Sequence, residues 1–179
     1  MKKKITLIVA LTVLMMLLVI APAFASPADK VAFTGILTGY KPQPTQGEDY
    51  RKFTTNGETI HIINQIGAGT IQLWLGTTTS GTPTYEGTWT ATFKVNLNLK
   101  TGGEGPAMYK MIWTFLGGTF EGNILGTMVA PGPNDKGLID LHGILQGTGL
   151  YAEQRIMIED GYRALEGGPT TYTGTIMTP

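Results

Sequence analysis

The chain predicts an all-β domain, a single antiparallel β-barrel of about eight strands behind an N-terminal signal helix. Three observations lead there. The stretch Thr88–Lys100, "TWTATFKVNLNLK", alternates strictly, with Trp89, Ala91, Phe93, Val95, Leu97 and Leu99 on one parity and Thr, Lys and Asn on the other. That is the period of a strand with one buried and one wet face. Short apolar runs are separated by turn-forming stretches, and no amphipathic helix stands between them. An aromatic residue, any residue and then glycine recurs at Phe33–Gly35, Tyr85–Gly87, Phe120–Gly122 and Tyr172–Gly174. Residues i and i+2 share a strand face, so each aromatic is expected to cover the bare glycine beside it. Glycines at such places let strands bend as a closed barrel requires. A two-sheet β-sandwich is the alternative.

The elements follow in chain order. The opening "MKKKITLIVALTVLMMLLVIAPAFAS" puts three lysines before an apolar run and a small-x-small site, Ala23-Phe24-Ala25. This is the order of a secretory signal peptide over 1–25, cleaved between Ala25 and Ser26, with the β domain over 26–179. The protein is therefore expected to be secreted or extracytoplasmic, and held at a membrane only if the leader is retained. Loss of Lys2, Lys3 and Lys4 leaves ten basic against thirteen acidic residues, a net charge of −3. With no basic cluster after residue 4, nucleic acid is not an expected partner. Cysteine is absent, which excludes thiol catalysis, thiolate metal sites and disulfide staples.

Beside Thr88–Lys100, strands are expected at Val31–Gly39, Tyr50–Thr55, Thr59–Ile66, Thr70–Leu75, Ala107–Leu116, Thr119–Val129, Gly137–Gly147, Gln154–Glu159 and Thr171–Met177. The breaks carry turn chemistry, among them "IGAG", "KTGGEGP", "EDGY" and "EGGP". Asn56-Gly57 between two apolar-patterned runs is a tight-hairpin signal. Thirteen residues at about 3.3 Å each would span about 43 Å, long for one strand, so the Thr88 strand is expected to bend around a barrel. Ala107–Leu116 carries apolar residues on both parities, which leaves its facing open.

"DLHGILQGTGLYAEQR", Asp140–Arg155, holds one of two histidines and a Gly147-Thr148-Gly149 that could pass for a phosphate loop. A phosphate loop needs a helix after it to present backbone N–H groups. Arg155-Ile156-Met157-Ile158 reads as strand, so a turn between strands is expected instead. The segment from Leu141 to Ile156 resembles the strand, Gly-[Thr/Ser]-Gly-x-aromatic, strand segment of the allene-oxide-cyclase and dirigent β-barrel superfamily, through Gly147, Thr148, Gly149 and Tyr151. That resemblance implies an eight-stranded barrel with an apolar interior. It transfers no catalytic residue.

Asp140 and His142 share a parity with Leu138, Ile144 and Gln146, and an Asp–His pair could act as a base. No nucleophile stands near them, and a polar outer face is the plainer reading. His61 and His142 could share a metal only if the fold joined them, and neither lies in a ligand-spaced cluster. No metal or cofactor is expected. The candidates for ligand contact are Trp89, Phe93, Tyr109, Trp113 and His142. The expected function is an exported, non-catalytic binding or interaction module, with a small hydrophobic ligand or a second copy of the chain as partner. A cyclase or isomerase acting inside the barrel is one alternative. It requires His142, Glu121 or Tyr109 to face an apolar cavity. A structural cell-surface protein is the other.

Overall fold

The computed structural model describes residues 29–42, 50–132, 135–163 and 168–179. The expected leader and the expected Ala25–Ser26 cleavage site lie outside the described residues. Nine strands follow one another: β1 (Asp29–Pro42), β2 (Arg51–Thr55), β3 (Thr59–Leu75), β4 (Tyr85–Asn98), β5 (Gly105–Phe115), β6 (Gly118–Gly132), β7 (Asp135–Gly147), β8 (Arg155–Tyr162) and β9 (Thr170–Thr178). Two single 3-10 turns, Leu99–Thr101 and Gly149–Tyr151, are the only helical elements among the described residues.

Each strand pairs antiparallel with the next around β1-β9-β8-β7-β6-β5-β4-β3, and β3 returns to β1. The ladder therefore closes into an eight-stranded barrel, and the sandwich is not formed. β2 is a ninth strand outside that circuit. β3 is long because one edge serves two partners: Thr59–Ile63 pairs with β2, and Gly67–Leu75 pairs with β1. The β2–β3 hairpin turns at Asn56 and Gly57, with φ of 53° and 68°, closed by Glu58 N–H donating to Thr55 O at 3.0 Å. Asparagine and glycine are the residues that accept positive φ at such a turn.

Two expected turns are strand. "IGAG" lies inside β3, so Thr59–Ile66 and Thr70–Leu75 are one strand. The Trp89 indole on β4 reaches across Gly69 on β3 and donates to Thr38 O on β1 at 3.1 Å. A side chain at Gly69 would strike that indole nitrogen, 2.7 Å away. The glycine is there for the crossing. "EDGY" lies inside β8, where the pairing slips between Ile158 and Asp160.

β4 buries Trp89, Ala91, Phe93, Val95 and Leu97 and exposes Thr90, Lys94, Asn96 and Asn98, as the alternation requires. It ends two residues earlier than expected. The Asn98 side chain accepts from Lys100 N at 2.9 Å and starts a 3-10 turn, which rotates Leu99 outward. In β5 the odd residues, Ala107 to Phe115, face inward, and Met108 lies outside. Eight strands leave an interior that side chains can fill. The core does so with Phe33, Ile71, Trp113, Ile124, Leu145 and Ile156, all almost fully buried.

The aromatic residues do cover glycines, but mainly across strands. Phe33 lies over Gly174, its direct partner, within 3.0 Å of where a Cβ would stand, and Phe115 similarly covers Gly87. Tyr172 covers its direct partner Gly161. Of the four predicted pairs, Phe33 also approaches Gly35 on its own strand. Directly opposed residues on neighbouring strands lie closer than i and i+2 on one strand, so the cross-strand cover wins.

Candidate functional site

The two ends of the barrel are built differently. One end carries the 76–84, 116–117 and 148–154 connections. There Tyr151 stacks on Phe120 (centroids 5.0 Å apart) and meets Tyr85 and Phe115 edge-on. Gly147-Thr148-Gly149 delivers that ring. Gly149 takes φ 61° into the 3-10 turn, Thr148 Oγ1 lies 2.8 Å from Thr119 Oγ1, and the Tyr151 hydroxyl donates to Leu116 O at 2.9 Å. Burial, with the neighbouring Tyr85, holds the Tyr151 phenol above its ordinary pKa. The segment that could pass for a phosphate loop is a stopper for the barrel.

The other end, with the 56–58 and 99–104 turns and Arg163 just past the end of β8, is recessed. A cavity of about 180 Å³ opens there. Its apolar walls are Ile62, Phe93, Val95, Leu97 and Met128, and Tyr109, Gln65, Tyr50, Lys52 and Arg163 supply polar groups. Phe93 and Tyr109 are direct partners on β4 and β5 and meet edge to face, 4.8 Å apart at 89°. Below them is a void of only about 20 Å³ among Trp89, Met111, Leu138 and Tyr172, which Arg163 also borders.

Arg163 is the residue that sequence reasoning missed. It is 5% exposed. Its backbone exchanges two 2.9 Å hydrogen bonds with Leu138 on β7, which fixes the chain just past the end of β8. Parity counted from Ile156 and Ile158 would put Arg163 outside. The extra residue at Glu159 reverses that parity, so Gly161 and Arg163 turn in while Asp160 and Tyr162 turn out. Bulges re-aim side chains in this way. The signal lay in "EDGY", which reads as a turn and is a bulge. Burial pushes the neighbouring Tyr172 phenol far above its ordinary value, and the charge of Arg163 offsets part of that rise.

The other candidates separate. Trp89, Phe93 and Tyr109 lie at the recess or the void below it. Trp113 sits deeper, between Phe33 and Tyr172, and its indole N–H finds no hydrogen-bond acceptor among the described residues. His142 is on the outer face, where Nδ1 lies 2.7 Å from its neighbour Asp140's carbonyl oxygen. A bulge explains the surroundings of His142. Asp140 has φ 55°, and the β6 register slips between Leu125 and Thr127, so Leu138 faces inward although it shares the sequence parity of His142. His61 also faces out, stacked on Phe53 at 4.8 Å with Nδ1 2.8 Å from Asn96 Oδ1. It is on β3, four strands from His142 on β7, so the fold does not join the two. Of the groups a cyclase would need inside, Tyr109 faces the recess, while Glu121 and His142 face solvent.

Compared with family models, with curated proteins and with solved structures, the chain matches none.

Proposed function

We propose that the protein is an exported binding module that takes one small, largely apolar molecule into the recessed end of its barrel. The observation that carries this reading is the 180 Å³ recess floored by Phe93 and Tyr109 at one end of an otherwise filled interior. That volume equals roughly six waters at about 30 Å³ each, room for a short aliphatic or single-ring body rather than a long lipid. Apolar walls with a few convergent polar groups are the usual make-up of a small-molecule site. Met128 on the wall is partly buried and unbranched, so it can adapt to a guest. The cyclase or isomerase alternative draws on Tyr109 alone. A phenol beside an apolar recess can orient a guest without any chemistry, so binding is the favoured reading.

Native mass spectrometry of the protein recovered from an exporting host tests the proposal. The expected result is a bound mass, or saturable uptake of added 1-octanol, that denaturation releases and that Met128→Trp abolishes by filling the recess. No uptake at millimolar 1-octanol or octanoate by the folded protein would overturn it.

A further inference from the structure

The outer face of the barrel is not uniformly polar. On β4 it carries Thr90, Lys94, Asn96 and Asn98, whereas over β5, β6 and β7 it carries Met108, Leu125, Ile139 and Ile144, each between 38% and 56% exposed. These four are neighbours. Met108 pairs directly with Leu125, and Leu125 pairs with His142. Ile144 stands two residues along β7 from His142, on the same face, and pairs with the partly exposed Met157 on β8. Ile139, on the other side of the β7 bulge, pairs with Thr127. Large apolar side chains exposed singly need no explanation, but a contiguous set marks a contact surface. The two flanks of this set carry charge of opposite sign. Lys94 is the direct partner of Met108 on the β4 side, and Lys110 stands two residues from Met108 on the same face, both exposed. On the far side Glu159 and Asp160 stand exposed at the β8 bulge. Among the described residues none of the four is in an ion pair, and Glu159 accepts only from Thr175 Oγ1, at 3.0 Å.

A partner of one sign, such as an anionic membrane surface, would suit one flank and be repelled by the other. A second copy of the chain suits both, because a two-fold contact sets a surface against itself. When two sheet faces meet, the two-fold axis lies in the plane between them. An axis across the strands would set each strand on its own copy, and lysine on lysine. An axis along the strands, between β6 and β7, sets β5 of each copy on β8 of the other. Lys94 and Lys110 then approach Glu159 and Asp160 at both flanks, and Leu125 and Ile144 lie at the centre. We propose that this face is the two-fold interface of a homodimer, apolar over β6 and β7 and held in register by lysine–carboxylate contacts at its two flanks. It does not rest on the recess, which opens at one end of the barrel. A convex barrel offers a contact at the small end of the range, so the dissociation constant is expected on the order of tens of micromolar.

Analytical ultracentrifugation of the full exported protein, from micromolar to millimolar concentration, tests it. The expected result is a reversible monomer–dimer equilibrium that stops at the dimer. Ile144→Glu puts a charge at the apolar centre and is expected to weaken the dimer at least about tenfold. Lys110→Glu and Glu159→Lys each set like charges together at both flanks and are expected to weaken self-association about fivefold. An equimolar mixture of those two variants is expected to recover the affinity of the unaltered protein, because every flank contact in the mixed dimer again joins a lysine to a glutamate. A protein that stays monomeric at millimolar concentration would overturn the proposal, as would an assembly that grows beyond the dimer. Undiminished association of Ile144→Glu would place the contact elsewhere, and a mixture no tighter than its components would remove the two-fold pairing of the flanks. All the substituted positions are exposed, and circular dichroism checks that the variants fold. If Ile144→Glu does not, the concentration series of the unaltered protein and the mixing experiment still decide the question.

Discussion

The stoppered and the recessed halves of this barrel use the same eight strands and differ in the regularity of their ladders. Toward the stoppered end the pairing runs without interruption. Every register shift recorded among the described residues falls toward the recessed end: Thr38/Lys41 in β1, Ile63/Gln65 in β3, Leu125/Thr127 and Val129/Gly132 between β6 and β7, and Ile158/Asp160 in β8. The bulges of β7 and β8 compensate each other, since Gly143 opposes Ile158 before them and Leu138 opposes Arg163 after them. A regular ladder holds inward positions at period 2 and fills a barrel with whatever is apolar there. A bulged ladder breaks that period, and here it brings an arginine inside. The difference teaches that the closed half is set by packing and the open half by local backbone exceptions.

On that division, the two halves respond unequally to truncation. Tyr151→Ala removes the ring that stacks on Phe120 and the hydrogen bond to Leu116 O. It is expected to cost about 3 kcal/mol, from lost burial, aromatic contact and one hydrogen bond. Met128→Ala at the recess wall widens an existing cavity and is expected to cost no more than about 1 kcal/mol, since the side chain is only partly buried. Urea unfolding of both variants checks the contrast. Equal losses would mean that the recessed half is as tightly packed as the other.

Much of the closed half was legible because it obeys the period. The β4 alternation from Trp89 onward and the turn at Gly147–Gly149 each express a local rule that nothing in the barrel overrides, as does the hairpin at Asn56-Gly57 in the open half. The rest of the open half was less legible, for the opposite reason. Gly67 and Gly69 carry turn chemistry but serve an indole crossing between β4 and β1, a contact 51 residues apart in sequence. Asp140 and Glu159 look like ordinary strand residues until the pairing partner is known, and each reverses the facing of what lies beyond it. Of the ligand candidates, Phe93 and Tyr109 were found by composition and parity. Arg163 was hidden behind a bulge. No single-strand pattern reveals that two neighbouring strands have slipped together.

Alkaline titration sharpens the contrast at a smaller scale. Tyr172 borders the void beneath the recess, and burial raises its phenol far above the ordinary value of 10.0. The folded protein therefore keeps a proton that the unfolded chain gives up near pH 10. The stability this group contributes is full below that pH and falls above it, by about 1.4 kcal/mol one unit higher. Tyr172→Phe is expected to remove that share of the alkaline loss, so the variant's advantage over the unaltered protein grows between pH 9 and pH 11. Urea midpoints across that range measure it. An advantage independent of pH would mean that the Tyr172 phenol ionises in the folded protein as easily as in the unfolded chain.

The smallest expected effect bears most directly on how the open half is specified. Asp140 occupies φ 55° at the β7 bulge, a conformation that disfavours most L residues by about 1–2 kcal/mol and aspartate by less. Asp140→Gly removes that strain and adds backbone freedom to the unfolded chain, worth about 0.5–1 kcal/mol in the other direction. The two nearly cancel, so stability is expected to move by less than about 0.5 kcal/mol, with the bulge and the inward facing of Leu138 retained. If the bulge is instead held by the Asp140 side chain, the glycine variant lets β7 slip by one residue. Leu138 then turns out, the Leu138–Arg163 backbone pair breaks, and uptake of 1-octanol falls together with stability. Backbone amide hydrogen exchange at Leu138 and Arg163, whose N–H groups bond each other's carbonyls, separates the outcomes. Protection unchanged in the variant places the specification in the register of β6, β7 and β8 together, and protection lost places it in one aspartate.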